Sequence, residues 1–307
     1  MPRYTFRTLV LLAFALLAWA SAFAGIRAGL RAYSPANLAI LRFTIASLVL
    51  AVYAGIAHFR RPQLRDVPWL ALTGAIGITF YHFALNYGET RVTAGAASLM
   101  MASTPVWAAL AARIWLREKL SAAGWLGVFV SFAGVALIAS AESGGIQISP
   151  QALIILAAAV MSALHIILQK HFLGRYGPLE FTSYTIWFGT ALMLPFGSGF
   201  VHTLRAAPVS VTLAIVYLGI FPGALAYLAW SYVLSHGAAG RTATMLYVVP
   251  VGAIVIAWIW LREVPKPISL VGGAIALGGV LLVNTVGRKH LDRRTSVDGV
   301  TMKVAVR

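Results

Sequence analysis

The pentapeptide Ile-Trp-Leu-Arg-Glu occurs twice in this sequence, at residues 114–118 and again at residues 259–263. The two copies lie 145 residues apart in a chain of 307 residues. When the sequence is compared with itself at this offset, residues 93–137 align with residues 238–282 without a gap, and 16 of the 45 positions are identical. The chain therefore contains an internal repeat whose copies lie nearly half its length apart.

The identical positions include residues that shape helices. They are the pairs Gly95 and Gly240, Pro105 and Pro250, Trp115 and Trp260, Gly127 and Gly272, and Gly134 and Gly279. The same offset holds upstream, where Gly74 aligns with Gly219 and Tyr87 with Tyr232. Apolar sequence of low complexity gives chance matches. It does not, however, place a proline ten residues before the tryptophan of Trp-Leu-Arg-Glu in both copies.

The composition predicts an integral membrane protein. Hydrophobic residues make up 60% of the chain and charged residues 10%, whereas a typical soluble domain carries about 25% charged residues. Residues 68–87 and 150–168 contain no Asp, Glu, Lys or Arg. Each stretch is close to the length of about 20 residues that a helix needs to cross a bilayer. We therefore expect the lipid bilayer to surround this chain.

The charge and the cysteine content exclude other classes. A net charge of +16 would indicate a nucleic-acid partner in a soluble protein, but Lys and Arg cluster in the cytoplasmic loops of membrane proteins. We therefore expect no nucleic acid. The chain has no cysteine, which excludes disulfide bonds. The apolar stretch after Arg3 and Arg7 resembles a signal peptide, but other long apolar segments follow it, so we interpret it as an uncleaved first transmembrane helix.

Charged and turn-forming clusters divide the sequence into ten apolar segments, which predicts an all-α protein with ten transmembrane helices. The expected spans are residues 6–25, 36–57, 68–88, 94–116, 120–139, 150–172, 180–201, 209–235, 239–261 and 267–286. They form two five-helix units, residues 6–139 and residues 150–286. We expect residues 287–307 to be a disordered cytoplasmic tail.

Ten spans place both termini on one side of the membrane. If the termini are cytoplasmic, the inner segments hold 16 Lys and Arg residues and the outer loops hold six, which predicts this orientation in the inner (plasma) membrane. Because five is an odd number, the second unit crosses the membrane in the opposite sense to the first. Inverted repeats are typical of secondary transporters, whose substrate site lies near the bilayer midplane. Duplication in an inert scaffold is the alternative.

Several of these features resemble a known family. They are Trp-Ala-Ser-Ala-Phe at residues 19–23, Leu-Arg-Phe at residues 41–43, the proline before each Trp-Leu-Arg-Glu, and the glycine-rich last helix of each unit. Over residues 6–287 the chain resembles the drug/metabolite transporter superfamily, and within it the ten-helix EamA permeases and amino-acid exporters. The resemblance implies that helices 1, 3, 4, 6, 8 and 9 surround a central cavity, with helices 5 and 10 at the periphery.

Polar residues at helical spacing predict which faces line that cavity, because residues three and four apart share one face of a helix. The stripes are Thr79, His82, Asn86 and Glu89 in helix 3, Ser162, His165 and Gln169 in helix 6, and Tyr227 and Ser231 in helix 8. Polar groups that faced lipid would be costly, so we expect these stripes to face the bundle interior or a watery cavity, and all of these residues except Glu89 are candidates for binding substrate. The alternative is that they only hydrogen-bond neighbouring helices.

Aromatic side chains are the second set of candidates for substrate binding. They are Trp19, Phe23, Tyr81, Trp107, Tyr227, Trp230 and Tyr247, with Ser21 between the first two. A cavity walled by rings would accept apolar or aromatic metabolites. Most Trp and Tyr residues in membrane proteins are interfacial anchors instead, a role that fits Trp115, Trp125, Trp258 and Trp260.

Four residues are candidates for gating. Pro105 and Pro250 each remove a backbone donor inside a predicted helix, and Pro222 and Gly223 interrupt helix 8. They can act as hinges or as static kinks, which membrane helices tolerate.

Charged residues within the spans are few. We interpret Arg42 and Arg113 as structural residues whose long side chains reach the nearest interface. No acidic residue is expected at mid-span, which argues against a cation/proton antiporter. If protons are coupled to transport, His82 or His165 would carry them, and facilitated export stays an alternative.

These features together predict a secondary transporter, not an enzyme, that exports small metabolites such as neutral or aromatic amino acids by alternating access. An intramembrane enzyme, a channel and a scramblase are the alternatives. No P-loop pattern is present, and we expect neither a cofactor nor a metal. Gly127 with Ser131, and Ser269 with Gly273, have the four-residue spacing that permits close helix packing. Helices 5 and 10 can use it within the chain or in a homodimer.

Overall fold

The structure is a computed structural model that describes residues 5–57, 59–115, 120–143, 149–236 and 245–297. In these ranges the chain is helical and has no strand. The helices are α1 (Phe6–Gly29), α2 (Pro35–Ile56), α3 (Val67–Gly74), α4 (Tyr81–Gly88), α5 (Ala94–Met101), α6 (Thr104–Trp115), α7 (Ala122–Ser143), α8 (Pro150–Phe172), α9 (Pro178–Met193), α10 (Phe200–Ala206), α11 (Val209–Leu218), α12 (Ala226–His236), α13 (Val249–Leu261) and α14 (Pro267–Val297).

Seven helical segments in the described ranges are long and apolar enough to cross a membrane, so the protein is a multi-pass membrane protein. They are Phe6–Gly29, Pro35–Ile56, Leu64–Gly88, Ala94–Ala111, Ala122–Glu142, Pro150–Phe172 and Val209–His236. Met245–Leu261 and Pro267–Val283 are shorter apolar helices. The expected seventh span, residues 180–201, is shorter than predicted because α9 ends at Met193 and Pro195 follows in a short 3-10 helix. The count of ten spans stays a prediction.

Serine caps followed by proline start two of the long helices. Ser34 precedes Pro35 at the start of α2, and its hydroxyl accepts a hydrogen bond from the backbone N–H of Asn37 at 3.2 Å. Ser149 does the same for the N–H of Ala152 in α8, at 3.1 Å. Such caps satisfy one of the free N–H groups of the first turn, and proline in the first turn gives up an N–H that has no partner there.

Two π-helical segments interrupt the helices that face each other in the bundle. Ala75–Phe80 joins α3 to α4, and Gly219–Leu225 joins α11 to α12. The two segments overlap when the sequence is shifted by 145 residues. Segments of this kind leave backbone carbonyls free and are frequent at functional sites. His82 and Tyr227 each follow such a segment by two residues.

The prolines proposed as hinges lie where helices are interrupted. The break between α5 and α6 falls at Ala102 and Ser103, just before Pro105. Thr104 donates its hydroxyl proton to the carbonyl of Met101 at 2.7 Å. This bond replaces the one that the backbone N–H at position 105 would make in a regular helix, because proline has no N–H. Pro250 occupies the matching place at the start of α13, after the 3-10 helix Met245–Val248. Whether these breaks move stays a prediction.

Helices α7 and α14 pack against each other through glycines. A Cβ atom at Gly279 would lie 2.6 Å from the carbonyl oxygen of Gly127, and one at Gly272 would lie 2.7 Å from the carbonyl oxygen of Gly134. Within the described residues, the small-residue faces of the predicted helices 5 and 10 therefore serve contacts inside one chain. A homodimer through the same helices stays a prediction.

Parts of three predicted segments lie outside the described residues. Residues 116–119 include the end of the first Ile-Trp-Leu-Arg-Glu copy, and residues 237–244 include the start of predicted helix 9. Helix α14 continues to Val297, into the stretch after residue 287 where we predicted no regular structure. Residues 298–307 of the predicted tail are also outside the described part.

Candidate functional site

A central cavity with a volume of about 130 Å³ lies among the helices of both halves of the sequence. Its walls come from α1, α2, α4 and the preceding π segment, α5, α6, α8, α12 and residues 246–250. These elements are the predicted spans 1, 3, 4, 6, 8 and 9 with one addition from span 2. Helices α7 and α14 contribute no lining residue among those described, in line with the peripheral position that the resemblance implies.

Ten of the predicted substrate-binding residues line this cavity. They are Trp19, Phe23, Tyr81, His82, Ser162, His165, Gln169, Tyr227, Trp230 and Tyr247. The prolines Pro105 and Pro250 line it as well. Widely separated parts of the sequence thus meet at one place, and binding by these residues stays a prediction.

Three large rings form one wall of the cavity, which we call the aromatic wall and define as Trp19, Tyr227 and Trp230. The ring centroids of Trp19 and Tyr227 are 5.5 Å apart with an interplanar angle of 72°, and those of Trp19 and Trp230 are 5.3 Å apart. Trp19 donates its indole N–H to the carbonyl of Pro222 at 3.3 Å, a carbonyl in the second π segment. The aromatic wall is therefore held by hydrogen bonding and edge contacts, and Trp19 is not an interfacial anchor.

A short polar network crosses the cavity between the halves. Nη1 of Arg42 lies 3.5 Å from Nδ1 of His82, and Nε2 of His82 lies 3.1 Å from the hydroxyl of Tyr227. Because the guanidinium can only donate, this network gives a neutral imidazole whose Nε2–H donates to Tyr227. The hydroxyl proton of Tyr227 is then available to an acceptor in the cavity.

The polar stripe predicted in helix 6, which is α8 in the structure, also makes contacts with neighbouring helices. Nδ1 of His165 lies 3.3 Å from the carbonyl oxygen of Thr73, so it carries the ring proton and donates. Gln169 donates to the hydroxyl of Ser231 at 2.9 Å. Both side chains are thus oriented by neighbouring helices while they line the cavity.

Five predicted binding residues are not among the lining residues. Within the described part of the chain, these are Ser21, Thr79, Asn86, Trp107 and Ser231. Thr79 donates to the carbonyl of Gly189 at 2.8 Å and Asn86 donates to the carbonyl of Pro35 at 3.0 Å. Thr79 lies within the π segment, so the three-and-four spacing that placed it on the face of His82 does not apply there.

The remaining three of these residues also contact neighbouring helices. The hydroxyl of Ser21 lies 2.6 Å from that of Tyr217 in α11, and the hydroxyl of Ser231 lies 2.8 Å from that of Thr182 in α9. The rings of Trp107 and Phe132 are 4.9 Å apart. These side chains make contacts between helices, and substrate binding by them stays a prediction. Pro222 and Gly223 lie in the second π segment behind the aromatic wall.

Arg42 corrects one interpretation made from the sequence. We expected its side chain to reach the outer interface, but Arg42 is 2% exposed and lines the cavity. Its Nε has no hydrogen-bond partner in the described structure. The signal for this was present in the sequence, because a charge within an apolar span marks a functional site more often than a structural one.

Glu89 is the second residue whose position the sequence did not reveal. It follows α4, at a helix end as expected, but its side chain is 0% exposed, and neither carboxyl oxygen has a hydrogen-bond partner in the described structure. Burial raises the pKa of the Glu89 carboxyl well above its ordinary value of 4.5. Glu263 adds to the rise, while Arg27 and Arg42 oppose it.

We expect Glu89→Gln to be more stable than the wild type at neutral pH. A raised pKa means that the stability contributed by the proton is fully present below pH 4.5 and is lost as the pH rises through the folded-state pKa. Glutamine is neutral at every pH, so the melting temperature of the variant should fall less between about pH 5 and pH 8. Thermal unfolding of the purified protein in detergent measures this difference.

Glu142→Gln is the contrasting control. The carboxylate of Glu142 accepts hydrogen bonds from the N–H of Thr93 at 3.1 Å and from the hydroxyl of Ser269 at 2.9 Å. The amide of glutamine has one acceptor oxygen where the carboxylate has two. The variant should therefore lose one of these hydrogen bonds and be less stable. A Glu89→Gln protein that unfolds below the wild type at pH 8 would show that the carboxyl has a partner we have not identified.

The glutamate of the second Ile-Trp-Leu-Arg-Glu copy joins three helices at one end of the bundle. Glu263 forms an ion pair with Arg27 of α1 at 2.8 Å and accepts the backbone N–H of Ala94, the first residue of α5, at 3.0 Å. Arg27 also donates to the carbonyl of Glu89 at 2.6 Å. Arg262 has a positive φ of 58°, so it ends α13 in the left-handed conformation of a helix cap. In this second copy of the motif, the arginine ends the helix and the glutamate ties three helices together.

A helical multi-pass protein with a small, aromatic-walled cavity between its two halves has the construction of a membrane transport protein. The model of the EamA-like transporter family matches residues 6–140 and again residues 149–285. The chain belongs to the EamA-like transporter family.

Named relatives agree with this class. The chain is 42% identical over 274 residues to a probable terminal-alkyne amino-acid exporter of Streptantibioticus cattleyicolor, covering 89% of this chain and 92% of that protein. It is 40% identical over 262 residues to the uncharacterized transporter YdfC of Bacillus subtilis, covering 85% and 86%. A solved crystal structure matches with a TM-score of 0.63 at 22% identity, over 92% of this chain and 98% of that chain, which shows a shared fold alone.

Proposed function

We propose that this protein is a secondary transporter of the inner (plasma) membrane that exports small metabolites, neutral or aromatic amino acids among them, by alternating access. The observation that carries the proposal is the cavity. Both halves of the sequence line it, its wall is aromatic, and none of the lining residues in the described part of the chain is an aspartate or a glutamate. Such a site suits an apolar side chain and does not suit a cationic drug.

The amino-acid part of the proposal has support from one relative. The Streptantibioticus protein, 42% identical to this chain, is named a probable exporter of a terminal-alkyne amino acid. An alkyne side chain is apolar and slender, which is the kind of group that an aromatic wall contacts through dispersion. We extend this class to the neutral and aromatic amino acids because three large rings, Trp19, Tyr227 and Trp230, contact one another in the cavity wall.

Alternating access would follow from two five-helix repeats, residues 6–139 and 150–286, in opposite orientations. Three observations support this arrangement. The π segments and the helix-breaking prolines recur at an offset of 145 residues. In addition, Gly127 is equivalent to Gly272 in the repeat, and Gly134 is equivalent to Gly279. The contact of Gly127 with Gly279 therefore has its repeat equivalent in the contact of Gly272 with Gly134, which is also present. A two-fold axis that relates the halves would produce this exchange.

The orientation that we propose puts both termini in the cytoplasm. The excess of Lys and Arg in the segments that would face the cytoplasm supports it. With this orientation Arg27 and Glu263 lie at the outer end of the cavity helices, where their ion pair would help to close the outer face.

Counterflow in reconstituted vesicles tests the proposed function. Vesicles loaded with an unlabelled amino acid should transiently accumulate the same labelled amino acid from outside, and the initial rate should saturate. A panel of neutral, aromatic, acidic and basic amino acids then gives the specificity. Flux that does not saturate and shows no exchange would indicate a channel, and a chemically altered solute would indicate an enzyme.

A further inference from the structure

The cavity contains a positive charge that no carboxylate in the described structure balances. Arg42 is 2% exposed and is one of the cavity-lining residues. The ion pairs found among the described residues join Arg27 to Glu263 and Arg175 to Asp66, and neither includes Arg42. A buried guanidinium without a counter-ion is costly, so such groups are usually paired or functional.

The groups that face the Arg42 guanidinium are neutral or aromatic. Tyr81, His82 and Tyr227 line the same cavity, and the guanidinium carbon lies 5.2 Å from the ring centroid of Phe43. Glu89 is the acidic group that acts on it electrostatically, but the two side chains form no ion pair in the described structure, and neither carboxyl oxygen of Glu89 has a hydrogen-bond partner there. Burial also raises the pKa of the Glu89 carboxyl, which favours its neutral form. The cavity therefore keeps its positive charge.

The donors of the network are not saturated by acceptors in the described structure. The Nε of Arg42 is buried without a partner, and its Nη1 makes only the long 3.5 Å contact with His82. His82 in turn donates to Tyr227, which leaves the Tyr227 hydroxyl proton free for a ligand. Arginine presents its N–H groups as a planar fork that matches a carboxylate bidentately.

We propose that Arg42 binds the carboxylate of the transported solute, and that the substrates are small monocarboxylates whose apolar part lies against the aromatic wall. The proposal rests on the proposed transport function and narrows its substrate class. Neutral amino acids fit it, because each has an α-carboxylate and an apolar side chain. The chain from Arg42 through His82 and Tyr227 to Trp19 connects the charged end of the site to its apolar end. Amines and amides that lack the carboxylate should be excluded.

The test compares acids with their matched amides in two assays. In the first, thermal unfolding of purified full-length protein is followed with L-phenylalanine against L-phenylalaninamide, and with 3-phenylpropionate against 3-phenylpropionamide. We expect the two acids to raise the melting temperature and the two amides not to raise it. In the second, counterflow of labelled L-phenylalanine should be inhibited by the acids at least about tenfold more strongly than by the amides.

Variants then assign the selectivity to Arg42. Arg42→Gln should weaken acid binding at least about tenfold and remove the preference for acids over amides, and Arg42→Lys should retain a weaker preference because it keeps the charge but loses the fork. Arg65→Gln is the control, since Arg65 is exposed and bonds only to Gln63 among the contacts described. If Arg42→Gln does not fold, the comparison of acids with amides on the wild type still decides the substrate class.

The two assays separate this proposal from the proposed function. Acid-selective binding without counterflow would support the role of Arg42 and contradict transport by exchange. Amides that bind or compete as well as acids, acids that do not bind at all, or an Arg42→Gln protein with unchanged acid preference would each overturn the role of Arg42. Counterflow of another class of solute would leave the transport function intact in each of these cases.

Discussion

Gly279→Leu is expected to prevent the accumulation of folded protein, whereas Gly278→Leu in the same helix should leave it near the wild-type level. A Cβ atom at Gly279 would meet backbone atoms of Ser131 and Gly127 across the interface of α7 and α14. At Gly278 a Cβ atom would meet nothing within 4 Å. Backbone cannot move aside as a side chain can, so we expect a loss of about 3 kcal/mol or more, the upper part of the range for overpacking.

The measurement is the yield of monodisperse protein after detergent extraction, followed by its melting temperature. Alanine at the same two positions provides a milder comparison. Both alanine variants gain helix propensity relative to glycine, so any difference between them reports the contact with α7. Equal yields and melting temperatures for the variants at positions 278 and 279 would mean that α7 and α14 do not pack as described.

Ser162→Trp is expected to abolish transport without loss of folded protein. Ser162 lies in α8, is half-buried and lines the cavity. An indole at this position would fill much of a volume of about 130 Å³ and leave no room for a solute in a close-packed site. The initial rate of counterflow should fall by at least about tenfold, which corresponds to ~1.4 kcal/mol.

Ala157→Trp is the matched control for this block. Ala157 lies in the same helix, five residues earlier, and is exposed on the outside of the bundle. This variant should transport at the wild-type rate. If the two variants transport equally well, the solute does not pass through the central cavity, and the site would have to be sought elsewhere in the chain.

The sequence predicted the fold class and most of the helices that line the cavity. The repeat of Ile-Trp-Leu-Arg-Glu, the charge-free runs and the polar stripes can all be seen in the order of the residues alone. In a membrane-spanning helix, the spacing of residues along the chain determines which of them share a face. His82, His165 and Tyr227 line the cavity for this reason. The family was predicted from the same stretches of sequence, and the match to the EamA-like transporter family confirms it.

Local backbone geometry limited the rest of the prediction. The spacing rule failed at Thr79 because a π segment changes the rotation per residue there, and no residue pattern in the sequence marks such a segment. The burial of Glu89 could not be predicted either, because burial of a group at a helix end depends on which helices pack around it. Arg42 lies seven residues after the start of α2, which favours an interfacial position by distance alone, yet the packing of α2 buries it. Its charge within an apolar span was the signal that pointed to the cavity instead.

The central claim is that the two halves of the chain cross the membrane in opposite directions. Thr90 and Ser235 occupy equivalent positions of the repeat, 145 residues apart, and both are exposed. The chain has no cysteine, so Thr90→Cys and Ser235→Cys each create a single thiol that a membrane-impermeant maleimide can label in intact cells and in inverted membrane vesicles. If the halves are inverted, Thr90→Cys is labelled from outside only and Ser235→Cys from the cytoplasmic side only. Labelling of both thiols from the same side would contradict it.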